Sequence, residues 1–263
     1  MNDVNAILTI AYRDLLKLMR DRARLISSLV FPFVFIGVLG PSFQGSFGKM
    51  ASFNLIIFTF TGVYAQTLFQ SAAFGIISLI EDRDNDFSQE IFVSPISRYS
   101  IIFGKILGES LVAMVQGLAI IVFGVVLAVA AGIQVSLGSL LMMIPVGIVI
   151  CLFGGAFGVI ILGNLPSRRT AEQIFPFILL PQYFLSGMFT PIKDLPPVVS
   201  FLSIISPMRY AVDFVRNAFY VGSAEYNQTV IATPYFNIAV IGILFAVFLV
   251  SGTVLFVRAE RNR

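Results

Sequence analysis

The chain has 263 residues, 57% of them apolar and only 12% charged, with 27 Phe and a mean hydropathy of +0.92. Soluble domains run nearer ~45–50% apolar and ~25% charged, so water is not the main solvent here, and no stretch is polar enough to form the surface of a separate soluble domain. With no His, and a single Cys (Cys151) inside an apolar run, intrachain disulfides, Cys-based metal sites and histidine-based catalysis are excluded, and neither a catalytic residue nor a metal site is expected.

The net charge of +3 is small, but its distribution is informative. Val4, Ile7, Leu8, Ala11, Leu15, Leu18 and Met19 recur at helical spacing, and Arg13, Asp14, Lys17, Arg20 and Asp21 fall mostly between them. Residues 1–24 therefore read as an amphipathic helix on a membrane surface, with packing of the same stripe on the protein itself as the other reading. The first apolar run begins near Leu25 and no small-residue cleavage site follows it. A removed signal peptide is not expected, nor is a lipid anchor.

A hydrocarbon core ~30 Å thick needs roughly 20 apolar residues per helix, and six segments qualify. The first runs from Leu25 to Pro41 with its flanks, and the second, the longest, from Phe53 to Ile80. No charge occurs from Ser110 to Ser167, which is too long for one span. With Gly132-Ile133-Gln134 as a turn, the third helix covers Ile101 to Ala131 and the fourth Leu137 to Leu162. Gly154 and Gly158 in the fourth form a small-xxx-small pair, a pattern that chance also produces in a Gly-rich span. The fifth covers Ala171 to Phe189, and the sixth Tyr235 to Val257 behind the helix-starting Pro234.

Lys and Arg in short loops set orientation. Arg13, Lys17, Arg20, Arg22 and Arg24, then Arg83, Arg98 and Lys105, then Arg168 and Arg169, then Arg258, Arg261 and Arg263 all fall on one side of a six-span topology. The other side holds Lys49, Lys193, Arg209 and Arg216. Both termini are therefore expected in the cytosol.

Two segments are neither spans nor plain loops. Residues 81–99 carry five carboxylates by Glu90, each costing ~2.5–3.5 kcal/mol in hydrocarbon, yet also Phe87, Ile91 and Phe92. A short cytosolic helix with an apolar edge, ended by Pro95, suits docking onto another protein; a solvated connector packed on its own bundle fits the spacing equally. In the second segment, Val198 to Ile205 rise only ~12 Å, too little to cross. Beyond Pro207, Arg209, Asp213 and Arg216 share one helical face. Residues 191–220 are expected to form a re-entrant hairpin on the outer side, its three charges pairing mutually in hydrated surroundings.

These two segments resemble the signatures of the type-2 permeases of ATP-binding cassette (ABC) exporters, and the likeness covers essentially the whole chain. Arg83, Val93-Ser94-Pro95, Ser97-Arg98 and Gly104-Lys105 match the stretch after the second helix, with Asp86 where Gly is usual. Ser186-Gly187, Pro191, Leu195-Pro196, Pro207, Tyr210, Asp213 and Arg216 match the stretch before the last helix, with a departure at Ser206. The resemblance implies an all-α integral membrane protein, a single domain over residues 1–263. Its parts are an interfacial helix (1–24), helices one and two (25–80), a cytosolic coupling helix (81–99), helices three to five (100–190), a re-entrant hairpin (191–220) and helix six (234–257). It also implies docking of an ATPase through Asp86, Phe87, Glu90, Ile91, Phe92, Pro95 and Arg98.

In that family two permeases pair around a central path, each resting on an ATPase subunit. Neither Gly48-Lys49 nor Gly104-Lys105 continues as a phosphate-binding loop. ATP and Mg²⁺ are accordingly expected on a separate subunit, in two copies, beside a second permease identical or related to this one. Membrane lipids are the other partner, nucleic acid is not, and the expected location is a prokaryotic plasma membrane. The implied function is ATP-driven export of a hydrophobic or amphipathic small molecule or lipid, with a polysaccharide or glycolipid as the alternative cargo. A secondary transporter or channel is the rival class, but the long uncharged spans lack its usual intramembrane carboxylates. An intramembrane enzyme lacks any nucleophile–base pair.

Candidate path residues are Phe31, Tyr64, Phe69, Phe177 and Tyr183, although packing or facing lipid is the more frequent role of such residues. Glu109 either lines the path, pairs with a neighbour or reaches back to cytosolic water.

Overall fold

The computed structural model describes residues 3–84, 97–194 and 196–261, and every regular element among them is helical. Helix α1 (Asp3–Arg20) is followed by α2 (Arg22–Val34), which continues through a π turn at Phe35–Leu39 into α3 (Gly40–Phe47). Pro32 removes one backbone donor just before that turn, the usual origin of such a break. Helices α4 (Leu55–Gly75) and α5 (Ile77–Asp84) form the second long element; α6 (Arg98–Ala130), α7 (Leu137–Ile161) and α8 (Arg168–Leu185) follow. The chain closes with α9 (Pro197–Ser203), α10 (Pro207–Phe219), α11 (Tyr226–Thr229) and α12 (Pro234–Arg261).

Local chemistry sets the starts. The Asn54 side chain accepts from the Ile56 and Ile57 amides, Ser97 from Tyr99, and Ser167 from Thr170, each at the N-terminus of a long helix. Proline opens α9, α10 and α12, where the missing N–H costs nothing.

Among the described residues, five stretches are long and apolar enough to cross a membrane: Leu25–Phe47, Leu55–Asp82, Arg98–Ala130, Leu137–Ile161 and Tyr226–Arg258. A sixth is reached only if α9 and α10, bent by 87° at their break, count as one. The fifth span expected from the sequence exists as α8, but it ends at Leu185 rather than Phe189 and carries Arg168, Arg169 and Glu172 in its first turns. Its contacts nevertheless run along most of the second span. Arg168 pairs with Glu81, and just beyond its other end the Met188 carbonyl lies against Gly62. Those two points on the second span are ~28 Å apart at 1.5 Å per residue, close to a hydrocarbon thickness.

The second span is the hub, 78% buried, against 17% for the first and 22% for the last. It packs on α7 through Gly154 and Gly158: a Cβ at these positions would lie 2.3 Å from the Phe69 carbonyl oxygen and 2.5 Å from that of Ala73. The pair is thus a backbone-to-backbone contact, which only small residues permit. Phe69 stacks edge-on against Phe153, extending the core. Along α10, Tyr210 approaches Phe236, Asp213 meets residues 231–237, and Phe219 meets Phe60. That helix therefore lies across the ends of α4 and α12 rather than between them.

Candidate translocation groove and its anchors

At the α5 end of the bundle, α1 lies against α6 with Ala6, Ile10, Ala11 and Leu18 buried, while Val4, Leu8, Tyr12 and Met19 stay exposed. The stripe that the sequence presents as one face is thus divided: one edge packs on the protein and a second is left for an apolar surrounding. Asp14, which the spacing places among the polar positions, is buried instead. Lys105 explains why. Its Nζ straddles the Asp14 carboxylate, 3.0 Å from Oδ2 and 3.2 Å from Oδ1, and also donates to Asp82 Oδ2 at 2.8 Å. Arg13 bonds both Asp14 and Asp82, and Lys17 reaches Asp82 at 3.5 Å. Gly104 admits α1, since a Cβ there would sit 3.0 Å from Ile10 Cβ. The Gly104-Lys105 pair therefore has two separate jobs, close approach and charge pairing. The cluster ties α1, α5 and α6 together on both flanks of residues 85–96.

The coupling segment itself, with Asp86, Phe87, Glu90, Ile91, Phe92 and Pro95, lies outside the described residues. Arg98, the first residue of α6, is half-buried.

Between the first, second and third spans runs an open groove of about 340 Å³. Helix α2 contributes Ser27, Ser28, Phe31 and Pro32; α4 contributes Thr67, Gln70, Ser71 and Phe74; α6 contributes Gln116. No lining residue among the described side chains is charged. Gln70 Oε1 accepts from Gln66 Nε2 at 3.1 Å and from the Tyr183 hydroxyl at 2.8 Å, which joins α8 to the groove wall. An aromatic row continues away from it: Phe31 stacks on Phe35 (4.0 Å between centroids) and neighbours Tyr183 (6.2 Å), and Phe35 approaches Phe189 (5.5 Å). The row ends at a second hollow of about 440 Å³ that includes Phe43, Phe47, Phe53, Phe189 and Pro191.

Of the aromatic residues and the acid singled out from sequence, Phe31 lines the groove and Tyr183 adjoins it. Tyr64 is fully buried and donates to the Met143 carbonyl at 3.0 Å, and Phe69 is core. Phe177 is 79% exposed on the outer surface of α8. Glu109 is buried, with Oε1 2.8 Å from the Ser78 hydroxyl. The groove's amides and hydroxyls went unnoticed in the sequence. The signal was present in Gln66/Gln70 and Thr67/Ser71, two i,i+4 polar pairs inside an otherwise apolar span.

The segment before the last helix forms a cap. Gly187, at φ +74°, makes a left-handed turn that glycine alone adopts cheaply, and Ser186 donates to the Tyr183 carbonyl at 3.2 Å. Arg216, fully buried, donates to the Gly187 carbonyl at 2.8 Å and lies 3.5 Å over the Phe58 ring. Asp213 accepts from the Ile231 and Ala232 amides (2.7 and 2.9 Å) and from Asn237 Nδ2 (2.7 Å). Arg209 donates to the Ser203 hydroxyl at 2.7 Å and Tyr210 to the Ile204 carbonyl at 2.8 Å, both across the α9–α10 bend. The mutual pairing of Arg209, Asp213 and Arg216 expected from their spacing is thus replaced by three separate attachments. Burial is the reason: a desolvated charge takes the nearest backbone dipoles rather than a hydrated neighbour. Pro196 precedes α9 and Pro207 opens α10; Leu195 lies outside the described residues.

These features, long apolar helices around a buried hub, a charge cluster that anchors the first helix and a bent helix pair before the last span, define a multi-pass integral membrane protein of the transporter class. Residues 5–220 match the ABC-2 type transporter family, and the chain belongs to it. It is a permease, the transmembrane part of an ATPase-coupled transporter; permeases of this family work with ATPase subunits. A chain of Cyanophora paradoxa named as a transport permease, ycf38, is 24% identical over 242 residues, covering 89% of this chain and 81% of that one.

Proposed function

We propose that this chain is the membrane-spanning subunit of an ABC exporter that moves an amphipathic substrate out of the cytoplasm, driven by ATP and Mg²⁺ bound to a separate subunit. Six crossings are counted with α8 as the fifth and α9–α10 as a re-entrant pair, so both termini lie in the cytosol of a plasma membrane. Two copies face each other, each seated on one ATPase through residues 85–96.

The observation that carries this reading is the Lys105 anchor. It joins the interfacial helix to both ends of the segment that meets the ATPase, so that a push on the segment reaches the second and third spans together. Those two spans form walls of the groove. The groove and the aromatic row beyond it supply a route with a polar part and an apolar part, as an amphipathic molecule needs.

Reconstitution of the chain with its ATPase in sealed vesicles tests the reading. ATP should drive accumulation of cargo on the side away from the ATPase, and a Walker-lysine variant of that ATPase should abolish it. ATP-independent movement driven by an ion gradient would overturn the exporter assignment in favour of a secondary transporter.

A further inference from the structure

Within the exporter reading, one part of the path has a composition that narrows its ligand. Apolar cargo in a hydrocarbon setting gains from an apolar wall, yet among the described side chains this groove presents four hydroxyls, two amides and no charge. Ser28 donates to the Leu25 carbonyl at 2.8 Å, but other polar groups of the wall are not consumed by the protein. Thr67 is 7% exposed with a buried Oγ1 that has no partner, and Gln116, 4% exposed, makes no hydrogen bond among the described residues; neither does Ser71. Gln70 uses its carbonyl oxygen twice and leaves its amide hydrogens unassigned.

Unsatisfied polar groups facing lipid are costly, so these must meet something that both donates and accepts hydrogen bonds. Gln70 lies ~18 Å along the second span from Asp82 at 1.5 Å per residue, more than half a hydrocarbon thickness from the charged anchor. Phe31 and Phe74, both partly exposed on the same groove, add flat apolar faces. Amides and hydroxyls beside aromatic faces, without charge, match a group bearing several hydroxyls on a ring.

We propose that the groove bounded by Phe31, Thr67, Gln70, Ser71, Phe74 and Gln116 is a binding site for an uncharged, multiply hydroxylated group, such as the sugar head of a glycolipid or a free saccharide. The amides and hydroxyls exchange hydrogen bonds with the ligand's hydroxyls, and Phe31 and Phe74 stack on its apolar face. Charged heads are rejected because the wall offers them no counter-ion.

Protection of a thiol tests this without ATP, so its failure is separate from failure of the exporter reading. The full chain with Cys151→Ser and Ser71→Cys is placed in lipid nanodiscs and alkylated in the presence of octyl glucoside, octanol, octyltrimethylammonium or octyl sulfate. Octyl glucoside should slow the reaction at concentrations where the other three do not. Adding Gln70→Leu or Gln116→Leu should weaken that protection roughly fivefold each, the worth of about one hydrogen bond. Protection by free maltose as well would mark a soluble saccharide as the source, and protection by the alkyl glucoside alone a lipid-linked one; either supports the site. Equal protection by octanol or by the charged amphiphiles would overturn it. So would spontaneous Ser71→Cys disulfide formation between two copies, which would show that a second permease fills the groove.

Discussion

Replacing Lys105 by Met keeps the length of the side chain and removes the charge that lies between Asp14 and Asp82. At ~3 Å and an effective dielectric of ~20, each of the two ion pairs is worth about 5 kcal/mol before desolvation, and desolvation of buried ions takes back much of that. The net loss on removing one member of such a cluster is about 3–5 kcal/mol, because the remaining charges stay buried. Asp14 suffers most: it is 4% exposed and among the described residues keeps only Arg13, whereas Asp82 retains Arg13 and Lys17. Lys105→Met should therefore loosen α1 from α6 rather than unfold the spans. A thiol at Ala11, 2% exposed in the intact protein, reports that opening in a Cys151→Ser background. Lowering the opening free energy by about 3 kcal/mol raises its alkylation rate roughly 100-fold. Lys105→Met with Asp14→Asn should recover much of the protection, since the stranded carboxylate is gone. A change of less than about threefold in the single variant would refute the idea that charge pairing, rather than the apolar contacts of Ile10 and Leu18, holds α1 in place.

Asp213→Ala strands the Ile231 and Ala232 amides and the Asn237 amide group, at about 1–3 kcal/mol for each donor left unpaired, and should lower the apparent Tm in detergent by several degrees; an unchanged Tm would mean water replaces the carboxylate. Gly158→Leu drives a side chain into the Ala73 backbone, and should abolish recovery of monodisperse protein, whereas substitution of Gly242, where a Cβ meets nothing within 4 Å, should be tolerated. Single cysteines at Lys193 and Val221, both exposed, should each react with an impermeant reagent outside intact cells; labelling of Val221 only from inside would make α9–α10 a true crossing. Phe92→Asp should release the ATPase subunit while leaving the permease inserted, and unchanged co-purification would favour a solvated connector.

The sequence by itself determined the elements that depend on local chemistry and on solvent. Apolar length placed the second to fourth spans and the last one close to their observed ends, and Pro234 marked the start of the last, whereas the first continues past Pro41 to Phe47; such placement is possible because a helix in lipid satisfies its backbone internally and needs no distant partner. The shortness of Val198 to Ile205 announced the bend at Ser203–Pro207 for the same reason. What only the tertiary structure decided was the fate of each polar side chain inside that framework. Asp14 reads as a surface residue until Lys105, far along the chain, is brought beneath it, and Arg216 reads as a hydrated neighbour of Asp213 until the Gly187 turn arrives at its guanidinium. Aromatic residues were likewise indistinguishable by composition: Phe69 lies in the core, Phe177 on the outside and Phe31 on the groove. Hydropathy is a property of a segment and survives without coordinates. Pairing in a low-dielectric interior is a property of two or three residues remote in sequence, and it appears only when the helices that carry them are packed.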